Sequence, residues 1–146
     1  MGGCIGASFS LGLCAAVPGR VRAAVLQNPI GADPAGHDHF GPMFDEWAKQ
    51  LQSTRADVDP ITLAALRASL FSTEFVFSVS RDFVRSCPVP MLVLPGNDEF
   101  HPVTTAQEIA RLAPRAELVE SWRPSEIGRE SMVTLVREFI RAHTPA

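Results

Sequence analysis

The sequence predicts an α/β fold: a parallel sheet of about three strands, flanking helices, and a helical insertion between the first strand and the second. Three observations point to it. Short apolar runs at 21–27, 90–95 and 116–119 stop at turn-forming or polar residues, as strands covered on both faces do. Segments with helical apolar spacing lie between them. The long interval 30–86 is itself helical in pattern and holds no clear strand.

The elements follow in order. Residues 1–8 are small and glycine-rich, too flexible for the interior of an ordinary element. Residues 7–17 are small or apolar, and Pro18-Gly19 stops the run, so a helix is expected there. The strand at 21–27 ends at Asn28-Pro29, a turn signal. A polar loop covers 31–42. Phe44, Trp47, Ala48 and Leu51 then mark one helix face. Asp59 and Pro60 stand as N-cap and first residue of the next helix, continued by Leu63, Leu66 and Leu70. Phe75-Val76-Phe77-Ser78-Val79 fits either period, and the polar Arg81-Asp82 that follows favours a helix. The strand at 90–95 ends at Gly96-Asn97-Asp98. Thr105 and Glu108 read as a capping box for a helix to Leu112. After the strand at 116–119, Met132, Leu135, Val136, Phe139 and Ile140 define an amphipathic tail helix.

Composition bounds the function. The 146 residues fit one domain. With 46% hydrophobic and 20% charged residues, the chain is neither a disordered tail, a collagen nor a coiled coil. Thirteen basic against 16 acidic residues leave a net charge of −3, which argues against a nucleic-acid partner. No apolar run approaches a membrane span, and the start lacks the charged region of a secretory signal. Met1-Gly2-Gly3-Cys4 departs from the myristoylation pattern, because Gly6 stands where Ser or Thr is wanted. Cys4, Cys14 and Cys87 have no CxxC spacing, so a reducing, cytoplasmic compartment is expected.

The chemistry centres on Gly2-Gly3-Cys4-Ile5-Gly6, which matches G-x-S-x-G with Cys in place of Ser. A nucleophile on a sharp strand-to-helix turn needs small residues two before and two after it, or the chain collides with itself. The chain resembles the C-terminal part of the α/β-hydrolase family. The likeness runs from this elbow through Pro18-Gly19-Arg20-Val21 and Ala24-Val25-Leu26 to the strand 90–95 with Gly96-Asn97-Asp98, and ends with the tail helix. It implies a partial α/β-hydrolase fold: core at 1–29, a helical cap at 30–86, and core again at 87–146. It also implies Cys4 as nucleophile, Asp98 as triad acid, the backbone N–H of Ile5 as an oxyanion donor, and a substrate such as a small ester or related carbonyl compound. No cofactor is implied.

Two departures stand out. Met1 falls where the strand entering the elbow should be finishing, so a truncated reading frame or late start is expected, along with loss of the second oxyanion donor and weak turnover. The loop after the last strand, 121–127, contains no His, and Glu126 falls roughly at the histidine's place. A carboxylate with an ordinary pKa of about 4.3 is a poor base for a thiol of about 8.5. His101, three residues after Asp98, is the substitute candidate, set against a plainer expectation that it caps or packs the following helix. Asp33, His37, Asp38 and His39 suggest metal only superficially, and a plain loop is expected. Cys14 and Cys87 read as structural thiols. Trp47 and Trp122 read as packing residues, either able to line a substrate pocket under the cap. A non-catalytic homologue that binds a small apolar ligand or partner is the competing reading, supported by Glu126. Self-association through an exposed sheet edge near Val25 is a further expectation.

Overall fold

Four strands form one parallel sheet in chain order: β1 (Gly2–Gly3), β2 (Ala24–Gln27), β3 (Met91–Leu94) and β4 (Ala116–Leu118). The computed structural model describes residues 1–33, 37–71 and 75–144; residues 34–36 of the expected polar loop lie outside this set. Gly3 pairs with Gln27, Gln27 with Leu94, and Val93 with Leu118, so the carboxyl ends of the strands share one edge.

The alternation of side chains along each strand explains why β3 is apolar throughout and β2 is apolar from Ala24 to Leu26. Ala24, Leu26, Met91 and Val93 face one layer, where they meet Leu11 of α1 (Ile5–Ala16) and Ile109 of α5 (Val103–Leu112). Val25, Leu92 and Leu94 face the other, where they meet Trp122 and Phe139, the latter from α7 (Arg129–His143). Two-sided coverage is what a parallel sheet requires. Leu11, Leu26, Leu92 and Leu94 are fully buried, each stabilising the fold by about 1.5–3 kcal/mol relative to exposure.

Helices α2 (Gly41–Thr54) and α3 (Pro60–Leu70) form the insertion. Asp59 caps α3 as expected, accepting from the amides of Ile61 and Thr62 at 3.1 Å each. Arg67 of α3 reaches back to Asp38 at 2.8 Å and to Asp45 at 2.9 Å. Phe40 stacks on Phe71, and both meet Phe77 edge-on, joining the insertion to the segment before α4 (Arg81–Ser86). The residues on either side of Phe77 belong to the main core: Phe75, Val76, Val79 and Val84 pack with α1 and α5.

Several expectations are corrected. Residues 75–79 form turns and bends rather than a helix. Phe77 takes a left-handed φ of 64°, which neither a helix nor a strand accepts, and α4 starts afresh with Ser80 as cap, accepting from the Phe83 amide. Helix α5 begins at Val103, with Pro102 as its N-cap and no side-chain capping bond, so Thr105 and Glu108 are not a capping box. Glu108 instead holds Arg81 at 2.8 Å. Trp47 is 47% exposed. The strand containing Val25 lies between β1 and β3, so the edges of the sheet are Gly2–Gly3 and Ala116–Leu118, not the strand of Val25. Among the described residues no helix is long and apolar enough to cross a membrane.

Candidate active site

Cys4 sits between β1 and α1 with φ 55° and ψ −126°. An L-residue held there is strained, and such strain persists only where surrounding structure enforces it. Two features do so. The Cys4 amide donates to the Gln27 carbonyl at 3.0 Å, which ties the turn to β2. A side chain on Gly2 would place its Cβ 1.9 Å from the Gly6 carbonyl oxygen and 2.6 Å from Ser10 Oγ, so the chain closes on itself only because residue 2 is glycine. Ile5 is the first residue of α1, and an amide in that position has no intrahelical acceptor. Cys4 is partly exposed, whereas Cys14 and Cys87 are buried. Burial, and then Cys87 beside it, push the Cys14 thiol up to about 11, which makes it a poor nucleophile at neutral pH.

Asp98 lies beyond β3 on the same sheet edge. With β2 between them, the chain ends leaving β1 and β3 stand two strand spacings apart, about 10 Å. Asp98 Oδ1 accepts from the amides of Phe100 at 3.0 Å and His101 at 2.9 Å, and lies 2.8 Å from His101 Nδ1. The imidazole bond is the main cause that holds the Asp98 carboxyl below the usual aspartate range. His101 therefore does not cap α5. Its ring is mostly covered, with 21% of the side chain exposed against 54% for Asp98. The turn is tight: a Cβ on Gly96 would fall 2.1 Å from the His101 carbonyl oxygen, so His101 folds back over the end of β3.

Glu126 belongs to the short α6 (Pro124–Ile127) and caps it, its Oε2 accepting from the amides of Trp122 and Arg123 at 3.0 Å each. Trp122 is buried against α7, and its Nε1 donates to the Pro95 carbonyl at 3.0 Å, which makes it a packing residue. Trp47 packs edge-on against Phe44. Pro95, Gly96, Asp98, Pro102, Arg123 and Glu126 line an open depression of about 630 Å³. A smaller pocket of about 190 Å³ is lined by Asp33, His39, Phe40, Phe75, Phe100 and Glu108, among others. Asn28, read in the sequence only as a turn residue, is an addition. It follows β2 beside Cys4, takes a left-handed φ of 45°, and its Oδ1 is buried without a hydrogen-bond partner.

A four-stranded parallel sheet with a strained strand-to-helix turn at its carboxyl edge is an α/β-hydrolase-like fold. Solved structures with this fold superpose along nearly the whole chain. An α/β-hydrolase enzyme, MGS-M2, from a Medee basin deep-sea metagenome library matches with TM-score 0.62 and 18% identity, over 99% of this chain and 65% of its own. Est816, described as an N-acyl homoserine lactone degrading enzyme, matches with TM-score 0.57 and 21% identity, over 94% and 65%. The putative non-heme bromoperoxidase BpoC of Mycobacterium tuberculosis H37Rv matches with TM-score 0.55 and 16% identity, over 97% and 66%. The chain thus spans about two thirds of the length of these structures or slightly less. No protein-family profile matches it, and neither does any curated protein sequence.

Proposed function

We propose that the chain is the C-terminal portion of a hydrolase that cleaves a small ester or related carbonyl compound through Cys4. The observation that carries this reading is the enforced backbone of Cys4, which holds a partly exposed thiol at the head of α1 on the sheet's carboxyl edge. Ligands of open α/β sheets bind at that edge. In the proposed reaction the Cys4 sulfur adds to the carbonyl carbon and its proton passes to His101 Nε2. The resulting oxyanion accepts a hydrogen bond from the Ile5 N–H. The intermediate collapses, the leaving alcohol accepts the proton, and water then hydrolyses the thioester. Asp98, bonded to Nδ1, orients the imidazole and stabilises its protonated form. His101 is preferred to Glu126 as base because both amide partners of Glu126 belong to its own turn. The three free thiols fit a reducing, cytoplasmic setting.

This reading assigns a single oxyanion donor, the Ile5 N–H, and a second such donor would be worth about 10²–10³ in rate. The 146-residue chain is therefore expected to be alkylated at Cys4 by iodoacetamide at neutral pH, ahead of Cys14 and Cys87, with little turnover of p-nitrophenyl acetate. An unreactive Cys4 overturns the nucleophile assignment, as do multiple turnovers that survive Cys4→Ser. Turnover lost in Glu126→Gln but kept in His101→Ala moves the base to the carboxylate.

A further inference from the structure

We propose that Asp33, His37 and His39 form a binding site for a divalent transition-metal ion, of the Zn²⁺ type, at the rim of the smaller pocket. This inference is independent of the reading of Cys4. The loop from β2 to α2 brings two imidazoles onto one carboxylate oxygen: His37 Nδ1 lies 2.7 Å and His39 Nε2 3.2 Å from Asp33 Oδ2. All three donor atoms lie within 4.8 Å of one another. Zinc bonds of about 2.0–2.2 Å in tetrahedral geometry set donors about 3.3 Å apart, so small side-chain movements admit the ion.

The donor set selects the class of metal. Two imidazole nitrogens and one carboxylate suit borderline ions such as Zn²⁺, whereas Ca²⁺ and Mg²⁺ demand oxygen ligands. Asp38, which lies between the two histidines in sequence, is committed elsewhere: it accepts from the Gly41 amide at 2.7 Å and pairs with Arg67. Three protein donors leave one coordination position, the pattern of reactive rather than purely structural zinc. Asp33 and His39 both line the smaller pocket, so water or a small carbonyl or carboxylate ligand held there has the ion within reach. His39 also packs edge-on against Phe100, at 6.4 Å between ring centroids. Phe100 is in the turn that carries Asp98 and His101, so the metal site would adjoin the proposed catalytic edge. The plainer view is that the histidines merely fasten the loop. With His37 70% exposed, its bond to Asp33 contributes little to stability, so fastening is a weak reason for the convergence.

The test uses the tag-free chain, stripped with chelator, titrated with Zn²⁺ against a chromophoric indicator and separately with Co²⁺ as a spectroscopic probe. One equivalent is expected to bind, with Co²⁺ giving the visible bands of a tetrahedral site with nitrogen and oxygen donors. His37→Gln and Asp33→Asn should each weaken Zn²⁺ by at least about 100-fold, the upper end of what losing a mere supporting partner costs. His37 is exposed enough that its substitution leaves the fold intact, which circular dichroism checks. Failure to bind one equivalent overturns the proposal, as does unchanged affinity in His37→Gln. A Co²⁺ spectrum dominated by thiolate charge transfer overturns it as well, because the cysteines would then hold the metal.

Discussion

Two turns leave the same edge of the sheet, one after β3 and one after β4, and each carries one carboxylate of interest. They use it in opposite ways. In the first, Asp98 gathers two backbone amides and an imidazole onto one oxygen. In the second, Glu126 turns inward and satisfies the amides that open its own short helix. The difference lies in the backbone. Gly96 lets the chain fold back until His101 rests against the strand end, where any Cβ would collide. In the turn after β4 the side chains reach across: Trp122 Nε1 and Arg123 Nη2 both donate to the Pro95 carbonyl, at 3.0 and 2.8 Å. One turn therefore gathers a carboxylate–imidazole pair, and the other braces the end of β3 from the side.

The largest expected effect tests the support. Trp122→Ala removes a buried aromatic and one of the two bonds to Pro95, so a loss of about 3–5 kcal/mol is expected in urea unfolding. A loss under about 1 kcal/mol would mean that the second turn does not brace the first. Gly96→Ala comes next. Its Cβ must displace the His101 backbone, at about 1–3 kcal/mol, and the His101 ring resonances should shift because the bond to Asp98 is disturbed. Glu126→Ala is milder, about 0.5–2 kcal/mol, the size of a lost helix cap. It should leave the His101 resonances in place. If Glu126→Ala moves them as far as Gly96→Ala does, the two turns are one unit and the contrast drawn between them fails.

Much of the fold could be read from the residues, and the misses share a cause. The buried strands were legible because a parallel sheet covered on both faces needs apolar runs, and β3 and the Ala24–Leu26 part of β2 have them. Asp59 was legible because an N-cap followed by proline acts within one turn of chain. The tight turn at Cys4 was legible through Gly2, whose added Cβ would strike the Gly6 carbonyl, whereas a Cβ on Gly6 itself would meet open space, so the expected crowding two residues after Cys4 is absent. The segment 75–79 was not, because the left-handed Phe77 is set by packing against Phe40 and Phe71 rather than by local preference. Glu108 was misread because its partner, Arg81, lies 27 residues away. The convergence of Asp33, His37 and His39 is not legible in the sequence, since spacing does not say which way a loop closes. Asn28 was reduced to a turn signal, because a buried, unpaired oxygen is a property of the folded neighbourhood alone.

The smallest effect is the most direct probe of the first turn. The His101 side-chain bond is the chief reason that the Asp98 carboxyl lies below the ordinary aspartate value; desolvation, the next cause in size, opposes it, and the amides of His101 and Phe100 add smaller lowering contributions. A carboxyl whose pKa is depressed in the folded state contributes stability above its unfolded pKa, and that contribution is lost as pH falls through the folded value. The window is therefore acidic, below about pH 3.9. Because Asp98 is exposed, its effect on stability is too small to see in unfolding, and the measurement has to be made at the group itself. Carbon-13 NMR of the Asp98 carboxyl, followed down from about pH 6, should give a midpoint below the ordinary value in the native chain. In His101→Ala the midpoint should rise toward that value, because the largest lowering cause is removed. An unchanged midpoint would mean that the imidazole does not engage Asp98 in solution, and His101 would then lose the partner that orients it as a base.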